Sequence, residues 1–308
     1  MNLHDKLRLL QRLSGLSQTQ LAEKIGVSFV AFNNWWTGKS KPHPKTLKVI
    51  DALYLEITGQ KIIPREDLSA KKAVILKKSK QNRNILKRII DRPDIYDQIM
   101  LELTYNSNSI EGSTLTENET AAILFRNASL PKKSLIEQLE AKNHQTAVQY
   151  LFNYLLEGEK IDDNLLLKLH SILMNGIHSE AGLFRRHSVR IVGSNVPTAN
   201  YLKIPVLMDQ LISDINKSAK DDILIAAEIH SRFEQIHPFY DGNGRIGRLL
   251  LHAMLLRKNI APAVIKQEKK QLYYTFLSVS QIKNDSSQLQ DFICDAVMDG
   301  FDIVTSIC

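Results

Sequence analysis

The stretch His237-Pro238-Phe239-Tyr240-Asp241-Gly242-Asn243-Gly244-Arg245-Ile246-Gly247-Arg248 decides how this 308-residue chain is read. Upstream, residues 222–236 carry Ile223, Ala226, Ala227, Phe233 and Ile236 at helical spacing, and Pro238 disfavours continuing that helix past His237. The imidazole is thereby left at a helix exit. Downstream, Gly242 and Gly244 permit a tight turn with positive φ. Asn243 is placed to cap a second helix bearing Ile246, Leu249, Leu250, Ala253 and Met254. The spacing thus predicts a buried helix, a turn with outward-pointing N–H groups, and another buried helix.

A helix N-terminus built this way receives anions through unpaired N–H groups and the positive end of the macrodipole, and phosphate is the anion that the side chains suit. Arg245 and Arg248, three residues apart and so neighbours on one face, add planar donor forks that match phosphoryl oxygens. A carboxylate at Asp241 would oppose phosphate unless a divalent cation lay between them, which points to Mg²⁺ held by Asp241 and substrate phosphates. His237, with an ordinary pKa of about 6.5, is a base suited to neutral pH.

These twelve residues resemble the signature loop of the Fic family, H-x-F-x-(D/E)-G-N-G-R-x-x-R, at every specified position. The resemblance implies transfer of AMP from ATP to a Ser, Thr or Tyr hydroxyl, on a target protein or on the enzyme itself, with pyrophosphate leaving. Carried over by position, His237 deprotonates the hydroxyl, Asp241 holds Mg²⁺, and Gly242, Asn243 and Gly244 form the anion hole. Arg245 and Arg248 hold the outer phosphates. Tyr273 and Tyr274 resemble the tyrosine pair that follows the loop and helps line the nucleotide pocket, where either could stack on adenine or simply pack.

A second motif, Ser107-Asn108-Ser109-Ile110-Glu111-Gly112, resembles the inhibitory S/T-x-x-x-E-G/N motif of the same family in the form carried on the N-terminal side of the core. A carboxylate beside a phosphate-binding arginine forms an ion pair with it and takes the place of a phosphate. The resemblance implies that Ser107, Glu111 and Gly112 belong to a brake in which Glu111 occupies Arg248. Between Gly182 and Pro205 the period changes, and Val189, Ile191, Gly193 and Val196-Pro197 suggest a short hairpin. In Fic proteins such a flap pairs with an extended target segment, which makes Val192, Gly193 and Pro197 candidates for target docking.

The amino-terminal third reads differently. Ser17 and Gln20 suit a capping box, Gly26 ends a short helix, and Ser28 caps another over Phe29 to Trp36, which is the helix-turn-helix arrangement. Residues 5–55 resemble the Cro/repressor-type helix-turn-helix family. Trp36 departs from the glutamate usual there, and could stack on a sugar or base or serve as a core or dimer residue. Ser28, Asn33 and Asn34 are candidate DNA contacts, with Lys39 and Lys41 to phosphate, since Asn can read adenine and lysine positions the backbone.

Charge supports that division. Residues 1–60 carry 8 Lys+Arg against 4 Asp+Glu, residues 61–90 carry 10 against 2, and the remainder is net −5 within a total of +7. A basic module attached to a mildly acidic body is a pattern of nucleic-acid binding. Two cysteines are too few for a disulfide framework or a four-ligand zinc site. No apolar run reaches membrane-spanning length and the N-terminus is not signal-like, so a cytoplasmic protein without a membrane partner is expected.

The expected architecture is an all-α Fic-type core with a small β-hairpin flap and an N-terminal helix-turn-helix domain. Its divisions are 1–58 for the helix-turn-helix, 59–92 for a basic helical connector and 93–308 for the Fic domain with its inhibitory helix. The expected function is a protein adenylyltransferase using ATP and Mg²⁺, held back by Glu111. Two alternatives stand beside it: a DNA-binding transcriptional regulator using the Fic core as nucleotide sensor or dimerisation body, and a Fic enzyme that removes AMP. A homodimer is a candidate state.

Overall fold

In a computed structural model that describes residues 3–58, 63–190, 196–217 and 221–306, the chain divides into two compact units, Met1–Pro64 and Arg65–Cys308. The first holds α1 (Leu3–Ser14), α2 (Gln18–Ile25), α3 (Phe29–Trp36) and α4 (Pro44–Thr58). The capping box forms, with Gln20 N–H donating to Ser17 Oγ at 3.2 Å and Ser17 N–H to Gln20 Oε1 at 2.9 Å. Gly26 ends α2 at φ 80°, a conformation that glycine adopts without a Cβ penalty. Leu7, Leu10, Leu21, Ile25, Phe32, Trp35, Ile50 and Leu53 bury a common core. Trp36 is half-buried against that core and stacks on Phe32, so packing accounts for it.

The second unit is a bundle of α5 (Arg65–Gln81), α6 (Ile85–Asp91), α7 (Pro93–Ile110), α8 (Glu117–Arg126), α9 (Leu135–Leu156), α10 (Asp163–Leu173), α11 (Ile204–Ile215), α12 (Asp222–Ile236), α13 (Asn243–Arg257), α14 (Lys270–Lys283) and α15 (Ser287–Thr305). At its centre α13 is buried on every side from Arg245 to Leu256, with Arg245, Arg248 and His252 enclosed among its apolar residues. It packs on α12, α9, α7 and α10. The basic run breaks at Asn84, in the left-handed region at φ 55°, into α5 and α6. Ile75, Ile85 and Ile89 are fully buried. α5 lies along α15, where Lys71 bridges Asp291 and Asp295 at 2.6 Å each.

Thr116 and Glu119 give α8 a full capping box. Residues 191–195 of the expected hairpin, including Val192 and Gly193, lie outside the described residues. No described residue forms a strand, and the two described arms are tied by Thr198 Oγ1 donating to Val189 O at 2.8 Å. Pro197 is exposed on the second arm.

Candidate active site

The loop between α12 and α13 brings the sequence-predicted residues together. His237 ends α12 in the left-handed conformation, φ 52° and ψ 61°, with its N–H on Phe233 O at 2.9 Å. Its Nδ1 lies 3.3 Å from Glu234 O; a carbonyl only accepts, so Nδ1 carries the proton and Nε2 keeps the free lone pair. Burial pulls this imidazole below the ordinary histidine value, against the Glu234 carbonyl, which raises it. A base in that environment stays neutral at neutral pH.

Asn243 does not cap α13. The cap is Gly242 at φ 76°, and the Asn243 side chain instead staples the loop, accepting from Phe239 N–H at 2.8 Å and donating to Phe239 O at 2.9 Å. Asn243 already has helical geometry as the first residue of α13, so its amide turns back to the loop that precedes it. Asp241 is exposed beside this turn, with Oδ1 accepting from Gly242 N–H at 2.6 Å and lying 3.6 Å from Arg245 Nη2. No group of three or more His, Cys, Asp or Glu among the described residues could hold a metal alone, so a cation at Asp241 must bring other oxygen ligands with it.

The two arginines, neighbours on one face of α13, reach different partners. Arg245 Nη1 donates to Glu140 Oε1 on α9 at 2.6 Å. Arg248 donates through Nε to Ser107 Oγ at 2.9 Å and through Nη2 to Ser107 O at 3.0 Å and Glu111 Oε1 at 2.7 Å. Both arginines are 2% exposed, and Arg245 Nε and Arg248 Nη1 have no hydrogen-bond partner. Burial pulls the Arg248 guanidinium down, and Glu111, aided by Tyr273 and Tyr274, more than reverses this and holds it charged.

Glu111 is placed where its own helix does not favour it. It follows α7 as the C-cap, at the negative end of that macrodipole, and its carboxylate reaches the N-terminus of α13, the positive end of another. A Cβ built on Gly244 would lie 2.2 Å from Glu111 Oε1, so the carboxylate sits in space that any side chain at 244 would claim. Gly112, at φ 109°, turns the chain away. Beyond it Thr114 N–H donates to Glu137 Oε1 at 2.5 Å and Lys133 Nζ to Thr114 O at 2.6 Å. Glu137 and Glu140, three apart on α9, therefore hold the turn after Gly112 and Arg245 respectively.

Of the tyrosine pair, Tyr273 is 1% exposed and donates its hydroxyl to His230 Nε2 at 2.7 Å, because His230 Nδ1–H is committed to Gly247 O at 3.1 Å. It packs, whereas Tyr274 remains 37% exposed. His170 bears on the loop: its ring stacks on Phe239 with centroids 3.8 Å apart, accepts from Gly182 N–H and donates to Asp241 O at 3.1 Å. Three further residues gave no sequence signal. They are Glu140, Glu234, whose buried carboxyl lies where a Cβ on Gly247 would meet it, and Arg185, whose guanidinium donates to His237 O.

In the first unit Ser28 caps α3, accepting from Ala31 N–H at 3.3 Å, and remains exposed. Asn33 and Asn34 are half-buried, and their carbonyls hold the basic loop, with Thr37 Oγ1 on Asn33 O and Lys39 N–H on Asn34 O, both at 2.8 Å. Lys39 and Lys41 are exposed. Phe29 and Val30 are also exposed on the first turn of α3, a pair that the sequence reading passed over.

Residues 160–255 match the Fic/DOC family and residues 7–54 a helix-turn-helix family. The chain carries a Fic domain. The loop lies within the matched Fic segment, while Ser107 and Glu111 lie ahead of it. The chain is 32% identical over 203 residues to the protein adenylyltransferase Fic of Drosophila willistoni, covering 65% of this chain and 40% of that protein. To the protein of that name from Nematostella vectensis it is 33% identical over 183 residues, covering 56% and 42%. This chain thus spans less than half the length of these relatives. Among solved structures, Fic-1 of C. elegans superposes with a TM-score of 0.69 at 19% identity, over 98% of this chain and 92% of that one. A Fic-domain-containing signaling protein from Bacteroides thetaiotaomicron gives 0.65 at 24%, over 77% and 100%. At these identities the likeness establishes the fold, an all-α Fic core.

Burial pushes the Glu234 carboxyl up to about 8, with Arg248 opposing and Glu111 reinforcing, so it is neutral in the Fic domain at pH 7. A carboxyl with a raised folded pKa contributes stability fully below its unfolded value of about 4.3, and that contribution is lost as pH climbs to about 8. Melting curves of wild type and Glu234→Gln are expected to differ least at about pH 4, with the variant gaining in relative Tm from there towards about pH 9. A difference that stays flat across this range would mean that Glu234 is not raised.

Proposed function

We propose that this protein is an adenylyltransferase that moves AMP from ATP to a hydroxyl of a protein, and that Glu111 holds it in a resting state. The observation that carries the reading is the convergence of a base, an anion-binding turn and two buried arginines on one loop, with a carboxylate from α7 seated on the second arginine. The target hydroxyl, of Ser, Thr or Tyr, gives its proton to His237 Nε2 as its oxygen bonds to the α-phosphorus. The bond from that phosphorus to the pyrophosphate oxygen breaks, and pyrophosphate departs. N–H groups of Asn243 and Gly244 face the charge that develops, and that of Gly242 joins them once Asp241, which accepts it in this structure, turns to the cation. Arg245 and Arg248 bind the leaving phosphates once Glu140 and Glu111 yield them. Tyr274 is the tyrosine we assign to the adenine, since it is the exposed member of the pair.

Asp241 fits a Mg²⁺ ion, because its carboxylate is exposed beside the turn and a nucleotide would supply the other oxygens that the ion needs. When bound, the ion neutralises phosphate charge. The segment around Pro197 is the proposed docking edge for an extended target segment.

Incubation with α-labelled ATP and Mg²⁺ tests this reading. Glu111→Gly is expected to raise labelling at least about tenfold, the scale of one charge-assisted hydrogen bond. His237→Ala should abolish labelling in the Glu111→Gly background, since base catalysis of this kind supplies about 10²–10⁴-fold. Labelling indifferent to His237 would overturn the mechanism, and no gain from Glu111→Gly would overturn the restraint.

A second reading, compatible with the first, is that the helix-turn-helix unit binds DNA. Exposed Lys39 and Lys41 flank α3, whose outward side offers Asn33 and Asn34 for adenine and Phe29 and Val30 for thymine methyl groups. In mobility-shift assays on genomic fragments, one fragment should remain preferred at two salt concentrations, while Lys39→Ala with Lys41→Ala should weaken all binding and flatten its salt dependence. Binding that vanishes equally for all fragments as salt rises would mark unspecific attraction only.

A further inference from the structure

The exit of α12 is closed by an unusual partner. The last carbonyls of a helix have no partners within it and are ordinarily met by water, a glycine motif or a cap. Here the last two, with the two carbonyls that follow them at His237 and Pro238, are taken by Arg185 and Ala199 from elsewhere in the chain. Ala199 N–H donates to Gln235 O at 3.3 Å, and Arg185 Nη2 to Ile236 O at 3.3 Å. Arg185 Nε donates to His237 O at 2.7 Å, and Arg185 N–H to Pro238 O at 2.9 Å. The remaining reach of the guanidinium goes to the two arms of the expected flap, with Nη1 on His187 O and Nη2 on Ala199 O, both at 2.7 Å.

Arg185 is 2% exposed, and the partners of its guanidinium are carbonyl oxygens. A buried charge with partial dipoles for partners is costly to keep, so its geometry has to supply something. A planar fork can address several carbonyls at fixed angles, which a lysine ammonium cannot. His237 needs such support: a residue other than glycine in the left-handed region persists only where its surroundings over-determine it. The peptide plane that follows His237 sets where the imidazole points, and Arg185 Nε holds the oxygen of that plane.

We propose that Arg185 is a positioning residue for His237, its guanidinium fixing the backbone of the base and tying it to the flap arms at His187 and Ala199, so that the base and the target-receiving segment move as one body. This rests on the AMP-transfer reading for its consequence in catalysis. The physical linkage can be measured without it.

The test uses the full chain in the Glu111→Gly background, with Arg185→Lys as the conservative variant and Arg185→Met beside it. AMP transfer should show kcat lowered at least about tenfold in Arg185→Lys, with KM for ATP and the Kd of a non-hydrolysable ATP analogue within about twofold, because a base displaced by about 1 Å can cost 10²-fold. An unchanged kcat would overturn the proposal. So would a fall in kcat accompanied by an equal loss of nucleotide affinity and a lowered Tm, which is the signature of a merely structural role. Independently of transfer, ¹⁵N-histidine spectra should show His237 as one tautomer, protonated at Nδ1, and as a mixed or exchange-broadened signal in Arg185→Lys. His237 resonances that ignore the substitution would overturn the proposal even if no transfer were detected in any form, whereas failure of Glu111→Gly to transfer AMP with altered His237 resonances would overturn the AMP-transfer reading instead.

Discussion

The buried guanidinium of Arg248 is paired with the Glu111 carboxylate, and much of the second unit can be understood as holding that pair together. Ser107 satisfies two of its donor contacts from α7, and Glu111 at the end of the same helix supplies the charge. The helix that positions Glu111 also opposes it electrostatically, since a carboxylate at a C-terminus faces the negative end of the macrodipole. Arg248 and the N-terminus of α13 offset that opposition. The result is a carboxylate held by attraction to the same two features that suit a phosphate. On the proposed reading, Glu111 and a nucleotide phosphate are two anions that compete for this one site.

The neighbourhood is otherwise kept free of competing charge. Burial pushes His230 and His252 down to about 3, so both imidazoles are neutral beside Arg248. Glu234 is neutral for the same reason with the opposite sign. Neutral neighbours neither screen the arginine nor pair with it, which leaves Glu111 as its counter-charge. Arg245 is handled separately through Glu140, so releasing one arginine does not by itself release the other. A nucleotide that engages both must displace two carboxylates carried by two helices, α7 and α9.

The parts of this arrangement that were legible in the sequence are those encoded locally. Pro238 and two glycines announce a helix, a turn and a helix, and α12 and α13 occur where their apolar spacing places them. The capping box and the glycine stop of α2 in the first unit were equally readable. What could not be read locally is which oxygen each side chain would find. Asn243 suits a helix cap by sequence, yet its amide closes the loop on Phe239, a contact that depends on the loop's three-dimensional path. Arg245 and Arg248 look equivalent at spacing three, but α9 faces one and α7 the other. Arg185, Glu140 and Glu234 carry no local pattern, because their significance comes from packing across long separations in sequence.

The central claim is that the charge on Glu111 competes with nucleotide phosphate for Arg248. Calorimetric titration of a non-hydrolysable ATP analogue with Mg²⁺ into wild type and Glu111→Gln tests it most directly, because the substitution removes the charge and keeps the shape. The account predicts binding at least about tenfold tighter in the variant, the equivalent of losing one charge-assisted contact from the resting state. Equal affinities in the two proteins would contradict it.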